Sequence, residues 1–291
     1  MPEQTSSPSP ASVQESAHLR QSAEAAARGV GDLLREAFRS GLSAGTKRNH
    51  HDLVTEYDHT SERRITEQLS AAVPDSRFRG EEGGVHGSGR VEWIIDPIDG
   101  TSNFAHGVAF FCVSIAAAVD GEVVAGVVYD PIASLMFAAD ADGAYLNGSP
   151  LRPVAAADER QGSVMTDFPS AEDIATDGPA CLEAFAELVT AYSTVRRKVS
   201  GALELAHVAA GWTDITLGFD TNPWDVAAGA FLVTQSGGTY RAFEYDDVAR
   251  PAHEAPTYLA HGPGADAATA TAVVERVMAG RRAAGYRGKP R

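Results

Sequence analysis

Cysteine is nearly absent from this chain: Cys112 and Cys181 are the two thiols in 291 residues. A disulfide framework is therefore excluded, and without a Cys-x-x-Cys pair structural zinc and thioredoxin-type chemistry lack ligands. Cys112 lies in the apolar run Phe110-Phe111-Cys112-Val113-Ser114-Ile115, where a thiol reads as a small buried hydrophobe. Long apolar runs are missing too. The longest, Val108 to Val119, contains Ser114 and falls far short of the roughly 20 residues a membrane span needs. Positive charge is scarce: 24 Lys and Arg against 39 Asp and Glu give −15. That balance argues against a nucleic-acid partner and against an anionic membrane surface. Residues 1 to 16 are rich in Ser, Pro and Gln and hold no apolar segment of a secretory signal. A soluble, cytoplasmic protein is expected.

One stretch departs from this acidic body. Gly280 to Arg291 holds Arg281, Arg282, Arg287, Lys289 and Arg291 with no acid. It reads as a solvated basic tail, residues 281–291, with a local nucleic-acid or membrane contact as the alternative.

What is present is ordinary globular material. Hydrophobic residues make up 44% and charged residues 22%, which excludes a disordered or collagen-like chain for the bulk. Residues 1–16 read as a disordered tail, since Ser-Ser-Pro-Ser-Pro neither builds a helix nor buries a core. From Ala17 to Gly41 apolar residues recur at three- and four-residue steps, predicting a helix, and Thr60 to Val73 predicts a second one. A Gly- and Glu-rich loop, residues 77–89, precedes a short apolar strand, Val91 to Ile95. Strand pairs flank Asp120-Gly121 and Asp142-Gly143, both hairpin signals. Beyond Ala155 helices and strands alternate. The predicted pieces are Leu182–Tyr192, Val195–Val199, Gly201–Ala210, Ile215–Leu217, Val226–Gln235 and Ala265–Met278. The pattern is α+β over residues 17–154 and α/β over 155–280, so a layered α/β sandwich with two sub-domains is expected.

The chemistry concentrates in Trp93-Ile94-Ile95-Asp96-Pro97-Ile98-Asp99-Gly100-Thr101. A buried strand ends in two aspartates, and Pro97 fixes φ between them so that both carboxylates can turn to one point. Carboxylates forced together repel unless a cation joins them, and hard oxygen ligands suit Mg²⁺ or Mn²⁺. Backbone N–H groups at Gly100 and Thr101 would suit a phosphate. Aspartates at strand ends also serve as plain turn formers and helix caps. Two more acidic features stand with them: Gly80-Glu81-Glu82-Gly83, and Asp225 at the start of the small-residue helix in Pro223-Trp224-Asp225-Val226-Ala227-Ala228-Gly229.

Together these segments resemble the inositol monophosphatase family, the lithium-sensitive, Mg²⁺-dependent sugar phosphatases. The likeness rests on Lys47 with Asp52 to Asp58, on Gly80-Glu81-Glu82, on Asp96 to Thr101, and on Trp224 to Gly229. It implies an αβαβα sandwich and a homodimer. Position by position, it implies that Glu81, Asp96 and the carbonyl of Ile98 hold one metal. Asp96, Asp99 and Asp225 would hold a second, with a third, weaker ion near Glu81. Glu81 and Thr101 would activate water, with Asp58 and Lys47 behind them, while Gly100 and Thr101 bind phosphate. No covalent phosphoenzyme is implied.

Competing motifs fall away. Asp140-Ala141-Asp142-Gly143 superficially resembles the nucleophile of haloacid-dehalogenase-type phosphatases, but Ala144 stands where Thr or Val is required, and the segment reads as a turn. His50, His51 and His59 form no His-Glu-x-x-His zinc motif and read as surface residues.

Substrate contacts depart from the family pattern. In Arg196-Arg197-Lys198-Val199-Ser200-Gly201-Ala202, Val199 stands for a family glycine and Gly201 for an alanine. Arg196, Ser200, Gly201 and Asp99 are expected at the substrate, with Ser200 capping the next helix. The basic run itself reads as a solvated strand edge or as a seat for a second phosphate. The family's polyol-binding acid falls on Gly218, leaving Asp220 as the one substitute. Myo-inositol 1-phosphate leads as substrate. Histidinol phosphate, fructose 1,6-bisphosphate, a 3′-phosphonucleotide and other sugar or nucleoside phosphates stay open, as does a non-catalytic role, since some family members bind transcription machinery.

Overall fold

The structure, a computed structural model, describes residues 11–40, 45–46 and 53–289. In chain order the first part comprises α1 (Val13–Ala37), β1 (Gly45–Thr46), β2 (Leu53–Val54), α2 (Glu56–Ala72), β3 (Arg77–Gly80), β4 (Gly84–Gly87) and β5 (Val91–Asp99). Then come α3 (Thr101–Ala105), β6 (Cys112–Val119), β7 (Glu122–Asp130), β8 (Leu135–Asp140), β9 (Gly143–Leu146) and β10 (Ser149–Pro150). The second part holds β11 (Ser163–Thr166), α4 (Ala171–Asp177), α5 (Pro179–Ala191), β12 (Thr194–Arg196), α6 (Gly201–Ala210) and β13 (Ile215–Phe219). It ends with α7 (Pro223–Gln235), β14 (Thr239–Phe243), β15 (Thr257–His261) and α8 (Ala268–Ala283).

Two sheets order the molecule. The larger runs β10-β9-β8-β7-β6-β5-β3-β4 and the smaller β12-β11-β13-β15-β14. At the centre of the larger sheet both faces are buried, so β5 reads as a continuous apolar run. Trp93 and Ile95 pack with Leu19, Val30 and Leu34 of α1 and Ile65 and Leu69 of α2, whereas Ile94 packs with Leu203 and Leu205 of α6 and Val226 and Leu232 of α7. Tyr258 and Ala260 of β15 join that second core, and α5 and α8 cover the far face of the small sheet through Leu188, Val273 and Val274. The layers are thus αβαβα, as the resemblance implied. Alternation of side chains along a strand is what lets one strand serve two cores.

Several expected boundaries move. α1 begins at Val13 because Ser12 accepts the Glu15 N–H, so the expected 1–16 tail yields its last four residues to the helix. α2 starts at Glu56, four residues early, because Thr55 and Asp58 form a capping box. α7 starts at Pro223, where Asn222 and Asp225 cap it in the same way. The Gly- and Glu-rich loop holds two strands, β3 and β4, which pair across a tight turn. β12 stops at Arg196, three residues short of expectation. The Asp120-Gly121 hairpin forms with both residues at positive φ, 52° and 89°, as a two-residue turn matching strand twist requires. The second hairpin pairs Asp140 with Gly143.

The largest correction concerns the basic tail. α8 runs on to Ala283, and Arg281 is 1% exposed. Its guanidinium meets Asp173 at 2.5 Å, Asp177 at 2.7 Å and Asp220 at 3.0 Å. Arg282 donates to the Glu244 carbonyl. A buried cation is tolerated where carboxylates surround it, and these come from 61 to 108 residues upstream, beyond any local reading of charge.

Candidate active site

Strand β5 sets the site. Its pairing with β6 breaks register between Asp96 and Asp99, where Pro97 interrupts the ladder, so the two aspartates leave the sheet together. Gly100 follows at φ 91°, a left-handed conformation that glycine adopts without steric cost. A Cβ there would also lie 3.1 Å from the carbonyls of Phe110 and Val199. α3 then opens at Thr101.

Thr101 is the hub of a small network. Its hydroxyl lies 3.0 Å from Asp58 Oδ1 and 2.9 Å from the Ile98 carbonyl. With a single proton to donate, the hydroxyl serves one of these acceptors at a time and keeps lone pairs to accept from elsewhere. Asp58 is fully buried and held by the Thr55 N–H at 2.8 Å and the Thr55 hydroxyl at 2.6 Å. Burial raises its carboxyl pKa, against the lowering effect of those hydrogen bonds.

Glu81 is seated by a residue that sequence reading missed. Glu62 on α2 accepts the Glu82 N–H at 2.9 Å and the Gly83 N–H at 2.6 Å, fixing the turn between β3 and β4. A Cβ on Gly80 would come 2.3 Å from Glu62 Oε1, so the flanking glycine is needed for that carboxylate to approach. Glu62 follows Asp58 by one helical turn on the same buried face, a periodic signal that could have found it. The Glu81 N–H donates to the Ile95 carbonyl at 3.2 Å, placing Glu81 beside Asp96.

Asp99 behaves differently from expectation. Its Oδ2 accepts the Ser200 hydroxyl at 2.6 Å and the Ala202 N–H at 2.8 Å. Ser200 sits at the N-cap position of α6 without a capping bond of its own. Asp99, 101 residues upstream, caps that helix instead, and Ser200 is spent on holding Asp99. Cys112, fully buried, donates weakly to the same oxygen at 3.7 Å. Burial pushes the Cys112 thiol well up, and the Asp99 and Asp96 charges push it further.

Asp225 arrives on the first turn of α7. Its Oδ2 accepts the Asn222 N–H at 2.7 Å and the Asn222 side-chain amide at 3.2 Å. The Ser114 hydroxyl donates to the Trp224 carbonyl at 3.2 Å, and Ser114 is the register partner of Asp96, so the start of α7 is fastened over β5. Burial raises the Asp225 carboxyl well above the usual range, and the charges of Glu81 and Asp99 act in the same direction.

The donor set suits a hard divalent cation: four carboxylates and one carbonyl, all oxygen. Repulsion of Asp225 by Glu81 and Asp99 is the electrostatic condition such an ion relieves. Among the described residues no three acidic, imidazole or thiol groups converge tightly enough to ligate one ion as they stand. Asp99 and Asp225 each turn one oxygen to a helix-start partner, so a ligating arrangement requires their side chains to shift.

Other expected residues fall outside this group. Arg196 ends an exposed edge strand. Gly201 borders the Asp225 carbonyl, with its ideal Cβ position 3.7 Å away. Val199 has φ 60°, a strained conformation for a β-branched residue and a physical reason for glycine in the family pattern. A Cβ on Gly218 would meet the buried Tyr258 ring at 2.6 Å, which leaves no room for an acid there. Asp220 does not replace it: its Oδ2 accepts from Arg281 at 3.0 Å and from the Tyr286 hydroxyl at 2.9 Å. Lys47, His50, His51 and Asp52 lie outside the described residues, and His59 is exposed. Asp140, in the competing motif, pairs with Arg20 at 2.7 Å and accepts the Asp142 N–H at 2.9 Å, as a turn residue does.

Comparison with known proteins gives the same direction. The family model described as "Inositol monophosphatase family" matches residues 15–279. A Nus factor SuhB from Pseudomonas aeruginosa is 39% identical, over 75% of this chain and 83% of the relative. A fructose-1,6-bisphosphatase/inositol-1-monophosphatase from Aquifex aeolicus is 33% identical, over 75% and 83%. The extragenic suppressor protein suhB from Bartonella henselae superposes with a TM-score of 0.77 at 30% identity, covering 89% of this chain and 98% of its own. The chain belongs to the inositol monophosphatase family, a family of phosphatases.

Proposed function

We propose that this protein is a Mg²⁺-dependent phosphomonoesterase of small phosphorylated polyols or sugars, with myo-inositol 1-phosphate as lead substrate. The observation that carries the reading is the drawing together of Glu81, Asp99 and Asp225, where the charges of the first two raise the Asp225 carboxyl, beside Asp96 and the Thr101–Asp58 pair. Glu81, Asp96 and the Ile98 carbonyl would hold one ion, and Asp96, Asp99 and Asp225 another, with a third, weaker one near Glu81. Mg²⁺ bound there, or Mn²⁺ in its place, offsets the carboxylate charge against a phosphate dianion and acts as a Lewis acid on its oxygens.

The chain's own groups supply the rest. Thr101 accepts a hydrogen bond from the attacking water while its proton is occupied by Asp58 or the Ile98 carbonyl. Glu81 takes the water's proton, and the backbone N–H groups of Gly100 and Thr101 hold the phosphate for in-line attack. Lys47 and Asp58 tune these groups from behind. The family likeness adds lithium sensitivity, a dimer and a cytoplasmic setting to the proposal. Among the described residues no helix is long and apolar enough to cross a membrane.

The test is phosphate release from inositol 1-phosphate, histidinol phosphate, fructose 1,6-bisphosphate, a 3′,5′-bisphosphonucleotide and nucleoside 5′-monophosphates. Each is run with Mg²⁺, with chelator, and with Mg²⁺ plus lithium. Turnover of a polyol or sugar phosphate, lost with chelator, is the expected result; metal-independent turnover contradicts the reading. The Nus factor SuhB relative, at 39% identity, favours a second reading as a transcription-associated binding protein. A biological effect that survives Asp96→Asn would favour it.

A further inference from the structure

A cavity of about 250 Å³ lies beside the candidate site, between the loop that leads into α7 and the chain after α8. Asp220 and Asn222 form one wall, and Arg287 and Lys289 the other. Asn222 is also the residue whose N–H groups hold Asp225, so cavity and candidate site share it. The second wall lies in the chain after α8, past residue 279, where the family match ends. That segment is anchored: the Tyr286 hydroxyl donates to Asp220 Oδ2 at 2.9 Å, and the Tyr286 ring packs edge-on against Tyr245 at 5.0 Å.

Charge matching within the cavity is uneven. Arg250 pairs with Glu244 at 2.7 Å and with Asp246 at 2.8 Å. Asp220 is answered by Arg281 through Oδ2, and its side chain is 3% exposed, yet Oδ1 has no hydrogen-bond partner. Among the described residues neither Arg287 nor Lys289 has a carboxylate in ion-pair range. In a protein of net charge −15, Arg287 and Lys289 act on Asp246 and Asp167 only from beyond ion-pair range, and together with the unpartnered Asp220 Oδ1 they suit a ligand with an anion at one end and a hydroxyl donor at the other.

We propose that this cavity is a second binding site for a phosphorylated polyol or sugar. Its phosphate meets Arg287 and Lys289, and a hydroxyl donates to Asp220 Oδ1. The site exists whether or not the catalytic reading above holds. Two sources fit this chemistry: the distal end of a bisphosphorylated substrate, or a separate effector molecule.

The test is calorimetric titration of the full chain, kept metal-free with chelator, with fructose 1,6-bisphosphate and with inorganic phosphate. Without metal, the carboxylates of the candidate active site repel these anions. Saturable binding of the bisphosphate, tighter than that of phosphate, is expected. It should weaken about tenfold or more in the R287A/K289A double variant, the scale of lost charge-assisted contacts, and stay unchanged in Asp96→Asn. Absence of saturable binding, or binding untouched by the double variant, overturns the proposal. Arg287 is exposed and Lys289 only partly buried, and an unchanged melting temperature of the variant certifies its fold. A KM rise confined to the bisphosphate in the Mg²⁺-loaded double variant identifies the substrate's distal end; unchanged KM with lost binding identifies an effector. Binding without turnover leaves this inference standing while the catalytic reading fails.

Discussion

The two sides of the candidate site are built on different terms. On the side of Glu81, Asp96 and Thr101, carboxylates meet backbone N–H groups and hydroxyls at 2.6–3.0 Å: Asp58 with Thr55 and Thr101, Glu62 with Glu82 and Gly83. On the side of α6, β13 and the C-terminal segment, Val199 is strained at φ 60° and Glu204 Oε1, His207 Nδ1 and Asp220 Oδ1 lack partners. A preorganised wall suits chemistry that demands fixed geometry. The other wall leaves these buried groups unpaired around a strained turn, although Ser61 Oγ on α2 is unpaired as well. Set against the family pattern, the motifs around Glu81 and Asp96 to Thr101 match on the first wall, and the departures at Val199 and Gly218 sit on the second.

Breaking the second wall at its anchor should give the largest stability effect. Arg281→Met leaves Asp173, Asp177 and Asp220 without their cation, and a loss of about 3–5 kcal/mol is expected in denaturant unfolding. A loss below about 1 kcal/mol would mean that this buried cluster holds nothing in place. On the first wall, Glu62→Gln keeps the shape but cannot accept both N–H groups as a charge. Its Mg²⁺ requirement should rise about 10- to 100-fold, the usual cost of disturbing a ligand's support, with little change in unfolding. An unchanged metal titration would remove Glu62 from the account.

His207 sharpens the contrast through pH. Burial, and then the Lys198 charge, push its imidazole down to about 4 from 6.5. The unfolded chain therefore takes up a proton below about pH 6.5 that the folded chain refuses. Stability should fall as pH drops from about 6.5 to 4, by up to about 1.4 kcal/mol per pH unit. His207→Phe, set among the rings of Phe110, Phe137 and Trp212, should flatten that slope. A slope identical in the variant would assign it to other groups. The smallest effect belongs to Val199→Gly, which should stabilise by about 1 kcal/mol because glycine takes positive φ without the β-branched penalty. Loss of stability there would show that the Val199 side chain earns its place by packing.

The same contrast explains what could be read from sequence. Asp96, Pro97 and Asp99 were legible because the chemistry and the strand break lie within four residues, and Asp120-Gly121 because a two-residue turn is a local event. The αβαβα layering followed from the family likeness and from the shift in pattern near residue 155. Arg281 was illegible: its partners lie far upstream, and a run of bases at a chain end looks solvated. Asp99 capping α6 was hidden for the same reason, with Ser200 in the N-cap position but making no capping bond of its own. Glu62 was hidden by attention to glycine and glutamate in the turn it holds, rather than to the helix face behind them.

If metal-assisted phosphate chemistry runs on the carboxylates gathered at the end of β5, Asp96 is indispensable to it. The most direct measurement is inositol 1-phosphate hydrolysis by the wild-type chain and by Asp96→Asn, each with Mg²⁺ and with chelator. Turnover by the wild type with Mg²⁺ alone is expected, with a fall of about a thousandfold or more in Asp96→Asn, the scale of losing a group that acts in the transition state, and with unfolding unchanged. Turnover that persists in Asp96→Asn, or that ignores the chelator, would contradict that expectation.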